Sequence, residues 1–364
     1  MANESKVIVV YGARQVGKTT LIKEVVKESG LNFLSINADE KKYNEIFESR
    51  DLQKMERLID RYEGLFLDEA QQIENIGLNL KILHDARPNL KIIVSGSSTL
   101  ELSDTIKEPL TGRTLTHNLL PLSLQELRED HSLYELDEML PDLLTYGLYP
   151  EVYTLTDTKR KREHLEELTR AYLYKDILQI TNIRHSGKLY KLLQLLALQV
   201  SNTVSINKLS NALDISSETV NNYIDLLESS FVIFRRAGYS KNPAKEISKM
   251  DKIYFYDVGI RNALIQNFNP LDLRQDIGQL WENFIVAERL KYLTYTKKSV
   301  TSFFWRTYGG TEIDIVEAGG EELKGLEIKY TKKLKNAPPL WTETYPHATY
   351  EVINMSNWMD YMLM

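Results

Sequence analysis

Gly12-Ala-Arg-Gln-Val-Gly-Lys-Thr19 (GARQVGKT) follows the apolar run Val7–Tyr11 and precedes a segment that reads as a helix from about Lys18. The octapeptide fits G-x-x-x-x-G-K-[ST], and its flanks are the ones that pattern needs: a strand that delivers the loop and a helix that opens behind it. Glycines let backbone N–H groups wrap phosphate oxygens, and the positive end of the helix dipole adds to their pull. Lys18 would reach the β and γ oxygens of a nucleoside triphosphate, and Thr19 would offer its hydroxyl to Mg²⁺. Gly12, Ala13, Arg14, Gln15, Val16, Gly17 and Thr20 complete the expected cradle. A glycine turn with an incidental lysine would explain neither the strand nor the helix.

Two further apolar runs end in polar residues. Gly64-Leu-Phe-Leu-Asp-Glu69 places Asp68 to hold the magnesium hydration shell and Glu69 to orient or deprotonate an attacking water. The competing reading has the two acids capping the next helix. Lys91–Ser98 (KIIVSGSS) ends in hydroxyls; Ser97 would sense the γ-phosphate, with Ser98 as its neighbouring rival. Together these residues point to binding and hydrolysis of ATP with Mg²⁺. From Lys6 to about Leu127 short apolar runs alternate with helix-like segments, the rhythm of βα units around a parallel sheet.

The whole chain has 364 residues, enough for two or three domains. Three patterns divide it: βα units over 1–130, a mainly helical region over 131–240, and returning strands around one clear helix over 241–364. The fold class is therefore α/β, without internal repeats or low-complexity segments. The absence of cysteine excludes disulfides, thiolate zinc sites and a cysteine nucleophile. Six histidines leave metal chemistry mainly to carboxylates. With 43% hydrophobic and 26% charged residues, and no long apolar window or signal peptide, a cytoplasmic protein without a membrane span is expected. A net charge of −6, from 45 Lys and Arg against 51 Asp and Glu, argues against a generally basic surface and leaves any nucleic-acid contact to a local patch.

The succession GARQVGKTTL, LFLDEAQ, IIVSGSS, LTGR (Leu110–Arg113) and LPLSLQEL (Leu120–Leu127) resembles the AAA-type P-loop ATPases over the entire first region. That resemblance implies a charge-stabilising role for Arg113, as a finger or sensor at the γ-phosphate, within one chain or across a subunit boundary in a homo-oligomer. A solvated loop arginine is the alternative. Members of the family usually carry some twenty or more residues ahead of the phosphate-loop strand that help seat the adenine, whereas six precede Val7 here. Adenine recognition is left open, and a truncated start is one expectation. YGLYPEVY (Tyr146–Tyr153), AYLYKDIL (Ala171–Leu178) and YFYDVGIRNAL (Tyr254–Leu264) look like signatures of the partner domain fused to these ATPases.

Val204–Glu228 reads as a helix, a turn over Asp214–Ser216 and a second helix capped by Ser216 or Ser217, followed by the strand FVIFRR. This is a winged helix-turn-helix pattern. Ser217, Thr219, Asn221 and Asn222 would face outward, where such residues reach base edges in DNA. Winged helices serve equally as packing modules, and this helix lacks cations for phosphate. Lys159–Arg162, Arg235, Arg236, Lys241, Lys245, Lys249 and Lys252 would form a phosphate track or solvated faces.

Near the end, Asp314 in EIDIV and Glu327-Ile-Lys329 in LEIKY lie on two strands joined by a glycine and acid turn. Alternation puts Glu327 and Lys329 on one face. Two carboxylates on adjacent strands can share Mg²⁺ while the lysine steadies or activates a water, as in D…(D/E)xK nucleases. Glu282, in GQLWENFIVAERL, resembles the helix glutamate that completes such a site. The tail thus resembles a restriction-endonuclease-like α/β core, with DNA as a partner. The pattern is short, and a chance match is its rival.

Overall fold

Val, Ile and Tyr over Val7–Gly12 form strand β1, buried along nearly its whole length. Such a continuous apolar run suits a strand covered on both faces, as in a parallel sheet. In the computed structural model, which describes residues 6–96, 109–171, 186–241, 250–331 and 336–363, β1 is joined by β2 (Phe33–Asn37), β3 (Gly64–Asp68), β4 (Lys91–Gly96) and β5 (Thr114–Leu119). All pair in parallel, in the order β2-β3-β4-β1-β5. Helices α1 (Lys18–Ser29), α2 (Lys41–Glu48), α3 (Leu52–Ile59) and α4 (Ile76–Ala86) belong to the same unit. Val10, Ile22, Phe66 and Ile93 pack from β1, α1, β3 and β4 into one apolar cluster, which fixes α1 against the sheet. The helix ends at Gly30, whose φ of 67° is the left-handed stop that glycine adopts at low cost.

The chain divides into two compact units, Met1–Leu120 with Ser229–Phe231, and Pro121–Glu228 with Val232–Met364. The second contains α5 (Leu124–Asp130), α6 (Leu133–Tyr146), α7 (Pro150–Thr154), α8 (Thr158–Ala171), α9 (Ser186–Leu198), α10 (Ile206–Leu213) and α11 (Ser217–Ser229). An antiparallel pair follows, β6 (Ile233–Ala237) and β7 (Asp251–Phe255), then α12 (Val258–Leu264) and α13 (Ile277–Tyr295). A four-stranded sheet closes the chain: β8 (Thr301–Arg306), β9 (Glu312–Gly319), β10 (Glu322–Ile328) and β11 (Thr349–Ile353). Its order is β11-β10-β9-β8, with β11 parallel to β10 and the other neighbours antiparallel. Short helices α14 (Pro339–Thr344) and α15 (Trp358–Met362) flank it.

Residues 131–240 and 241–364, distinct in sequence pattern, feed one hydrophobic core. Leu136 and Leu140 of α6, Trp281 and Phe284 of α13, Ile315 of β9, Ile353 of β11 and Trp358 are all buried in the same cluster. Between α10 and α11 the chain turns at Asp214, whose φ is 51°. Ser216 caps α11 by accepting the Thr219 N–H at 3.0 Å.

One buried carboxylate joins segments far apart in sequence. Asp257 accepts the N–H of Leu148 at 2.6 Å, of Gly259 at 2.8 Å and of Ile260 at 3.1 Å. It both caps α12 and secures the chain leaving α6. Asp257→Ala would leave those donors without that acceptor inside the protein and should cost about 3 kcal/mol, with Asp257→Asn losing less. All four tryptophans lie in this unit, so the loss is read from a lowered midpoint of tryptophan fluorescence on heating.

Candidate functional site

The phosphate loop is shaped by close approach and by positive φ. A Cβ at Gly12 would come 2.2 Å from the Leu119 carbonyl oxygen of β5, so only glycine fits. Gln15 and Gly17 take φ of 59° and 92°, turning the backbone into α1. Ala13 and Val16 are buried, Arg14 is half-buried, and Gln15 and Thr20 are exposed. Lys18, only 5% exposed, folds back over the loop and donates to the carbonyls of Gly12 at 2.9 Å and Ala13 at 2.8 Å.

Asp68 ends β3 beside this loop. Its Oδ2 accepts the Thr19 hydroxyl at 2.7 Å, and its Oδ1 accepts the Ser95 hydroxyl from the neighbouring β4. A hydroxyl and a carboxylate this close are hard oxygen donors suited to Mg²⁺. Glu69 follows with φ 51°, half-buried, its Oε2 accepting Gln71 Nε2 at 2.6 Å. Arg113 lies elsewhere: its Nε donates to Asp85 Oδ1 of α4 at 3.0 Å, and both side chains are well exposed. Ser97 and Ser98 lie outside the described residues. Ser95, overlooked in the sequence, is the β4 hydroxyl on Asp68; its polar side chain inside an otherwise apolar strand was the available signal.

A second polar centre lies in the other unit. Alternation along β9 sets Glu312 and Asp314 on one face, and α13 contributes Glu282. One oxygen from each lies within 4.8 Å of the others, the geometry of a cation site. Glu327 at the end of β10 pairs with Lys329 at 2.7 Å, and Lys329 stands 3.9 Å from Asp314. Asp314 Oδ2 also accepts the Ile328 N–H at 2.7 Å, tying β9 to the end of β10. The structure therefore gathers Glu282, Asp314, Glu327 and Lys329, but the group with cation geometry takes Glu312 in place of Glu327.

Lys252 reaches all three of these carboxylates. Its Nζ lies 3.0 Å from Glu282 Oε1 and 3.8 Å from Asp314 Oδ1, and forms a shorter ion pair with Glu312. The lysine is fully buried on β7, over the Phe304 ring. Burial and the Glu282 charge push the Asp314 carboxyl up to about 8 against the opposing pull of Lys252. Burial likewise raises Glu282. Burial works against the Lys252 charge, but Tyr254, Glu282, Asp314 and Glu312 outweigh it and hold the ammonium well above its ordinary value. The same contest leaves Lys329 raised, burial opposing and Asp314 and Glu327 prevailing. Lys252 was offered in the sequence as a phosphate-track or surface cation and lies buried instead, and Glu312 went unassigned; the alternation that pairs Lys252 with Tyr254, and Glu312 with Asp314, was the hint.

Of the cations offered as a phosphate track, Lys159, Arg160, Arg162 and Lys241 are exposed, whereas Lys161, Arg235, Arg236 and Lys252 are committed to partners inside the protein. Arg235 binds Asp225 at 2.6 Å and Glu228 at 2.7 Å, Arg236 is buried against Ser302 and Tyr254, and Lys161 is buried on Asp142. Lys245 and Lys249 lie outside the described residues. On α11, Ser217 and Thr219 are half-buried, Ser217 bonded to Asn207 and Thr219 to Ser216, while Asn221 and Asn222 are exposed.

Residues 4–128 match a family model described as an AAA domain. Residues 137–271 match a domain of unknown function (DUF8612), and residues 277–339 another (DUF4143). The chain is 28% identical over 361 residues to the uncharacterized protein MJ1544 of Methanocaldococcus jannaschii, covering 91% of this chain and 79% of that one. An uncharacterized protein of Haemophilus influenzae is 25% identical, covering 88% and 82%. Among solved structures, the Thermotoga maritima RuvB Holliday junction branch migration motor aligns at 17% identity with a TM-score of 0.32, covering 63% of this chain and 82% of that one. No helix among the described residues is long and apolar enough to cross a membrane.

The Arg113–Asp85 pair is exposed and screened, so it contributes at most about 1 kcal/mol to stability. Arg113→Ala should unfold within a few degrees of the parent in a thermal melt. A large drop would mean that the arginine holds the fold.

Proposed function

We propose that the chain binds ATP with Mg²⁺ in the Gly12–Thr20 loop and hydrolyses it to ADP and phosphate. The observation that carries this reading is the convergence of Lys18, Thr19 and Asp68 at the end of β1 and β3. Backbone N–H groups at the start of α1 receive the phosphates, and Lys18 exchanges its carbonyl partners for phosphate oxygens. Mg²⁺ when bound neutralises charge on the β and γ oxygens; Thr19 and Asp68 are the residues that would hold it. Ser95 keeps the Asp68 carboxylate oriented. Glu69, next in the chain, orients the attacking water and accepts its proton, with Gln71 restraining its side chain until then. Ser97 would touch the γ-phosphate, and Arg113 would stabilise the charge that develops there after leaving Asp85, in its own chain or in a neighbouring copy.

A second reading adds nucleotide-dependent engagement of DNA by the second unit. It is supported by the exposed amides of Asn221 and Asn222 on α11. Cleavage by the Asp314, Glu327 and Lys329 group is the weaker version, because Lys252 already pairs with Glu282 and Glu312 beside Asp314.

Lys18→Ala should abolish nucleotide binding and hydrolysis, whereas Glu69→Gln should bind ATP normally and turn over about 10² to 10⁴-fold more slowly. Binding is measured with a fluorescent ATP analogue and turnover by phosphate release. Wild-type turnover in Glu69→Gln would remove Glu69 from the mechanism. Mixing Arg113→Ala with Lys18→Ala protein then decides between the two arginine readings: recovered hydrolysis requires a site shared by two chains.

A further inference from the structure

We propose that Lys252 is the resident cation of the carboxylate cluster: its ammonium stands where a divalent metal would sit among Glu282, Glu312 and Asp314, and the folded chain is thereby closed to Mg²⁺ or Mn²⁺ at that point. The resemblance of the tail to metal-dependent nucleases predicts a metal there, and the geometry disagrees. The ammonium donates to Glu282 and forms a closer ion pair with Glu312, while Asp314 faces it at 3.8 Å as a charge partner without a hydrogen bond. The two compete for the same carboxylates, and a divalent ion among them would stand beside the ammonium's like charge in a buried setting.

The lysine is not a mobile surface group that would swing aside. It is the second residue of β7, paired with Arg236 of β6 on one side and bridged to Thr203 on the other, with the Phe304 ring beneath its ammonium. Retracting it into apolar surroundings would bury an unpaired charge, so admitting a metal requires the β6–β7 pair to shift. Tyr254, two residues on and on the same face, donates to Glu282 Oε1 at 2.8 Å and fixes that carboxylate toward the lysine. The cluster thus acts as a structural tie between β7, α13 and β9. The inference is independent of the ATPase reading.

Mn²⁺ binding to the full chain, followed by electron paramagnetic resonance of the free ion without nucleotide, tests it. Wild-type protein and Asp314→Asn should bind Mn²⁺ alike. Lys252→Met, which keeps the stem and removes the charge, should gain one Mn²⁺ per chain, and the gain should vanish in the Lys252→Met, Asp314→Asn double variant. The proposal is overturned if wild type holds an Mn²⁺ that Asp314→Asn or Glu282→Gln removes, or if folded Lys252→Met gains no ion. Should Lys252→Met not fold, the wild-type comparison with Asp314→Asn still decides: equal binding supports the closed cluster and unequal binding refutes it. Incubation of wild type with plasmid and Mn²⁺ gives a separate readout, since cleavage that Asp314→Asn abolishes would also refute it.

Discussion

A lysine ammonium loses its hydration when buried, and only opposite charge at short range can compensate. The second unit is organised around that constraint. Lys252 has no exposed surface, and its three carboxylate partners come from two different elements, α13 and β9, which the lysine links to β7. Arg306 reaches Glu312 at 3.4 Å, and Lys329 serves Glu327 and Asp314, so the charges form a network rather than a pair. Removing one member of a buried ion pair typically costs about 3 to 5 kcal/mol. The network therefore fixes how the β6–β7 pair, the long helix and the terminal sheet meet, beneath the apolar cluster that supplies most of the burial.

How far the sequence reveals this depends on whether the chemistry is local. The phosphate loop is legible because its strand, its glycines, Lys18 and Thr19 are consecutive, and each has one conformational task. Asp68 is nearly as legible, since an acid ending an apolar strand must lie at the sheet's carboxyl end. Ser95 was passed over although its hydroxyl inside an apolar run was legible, because the carboxylate it serves, Asp68, is brought to it by the pairing of β3 with β4. Lys252 was read as one more surface cation in a lysine-rich run, and Arg235 and Arg236 as part of a phosphate track. Their partners, Glu282 and Glu312, Asp225 and Glu228, and Ser302, are brought to them by tertiary pairing.

The segments YGLYPEVY and YFYDVGIRNAL meet through Asp257. Gly147 takes φ of 75°, and a Cβ there would lie 2.1 Å from an Asp257 carboxylate oxygen. At Gly259 a Cβ would lie 2.0 Å from the carbonyl oxygen of Tyr146. Both glycines are thus needed for the backbones of the α6 exit and of α12 to approach each other, and Asp257 joins them with three hydrogen bonds. A change of helical pattern near residue 240 suggested a boundary between regions, yet this contact and the shared core bind residues on both sides of it.

The two carboxylate centres differ in what already surrounds them. Asp68 accepts from two neutral hydroxyls, those of Thr19 and Ser95, and hydroxyls can remain as ligands or neighbours when a cation arrives, so its negative charge still attracts one. Asp314 faces ammonium groups on two sides, Lys252 and Lys329, and an incoming divalent ion would meet like charge before it met oxygen. At about 4 Å, repulsion between charges in a low-dielectric interior far exceeds its value in water, so the ammonium need not touch the ion to exclude it. An acid at a strand end thus invites a metal reading at both centres, and what sets them apart is the neighbours: hydroxyls around Asp68, ammonium groups around Asp314.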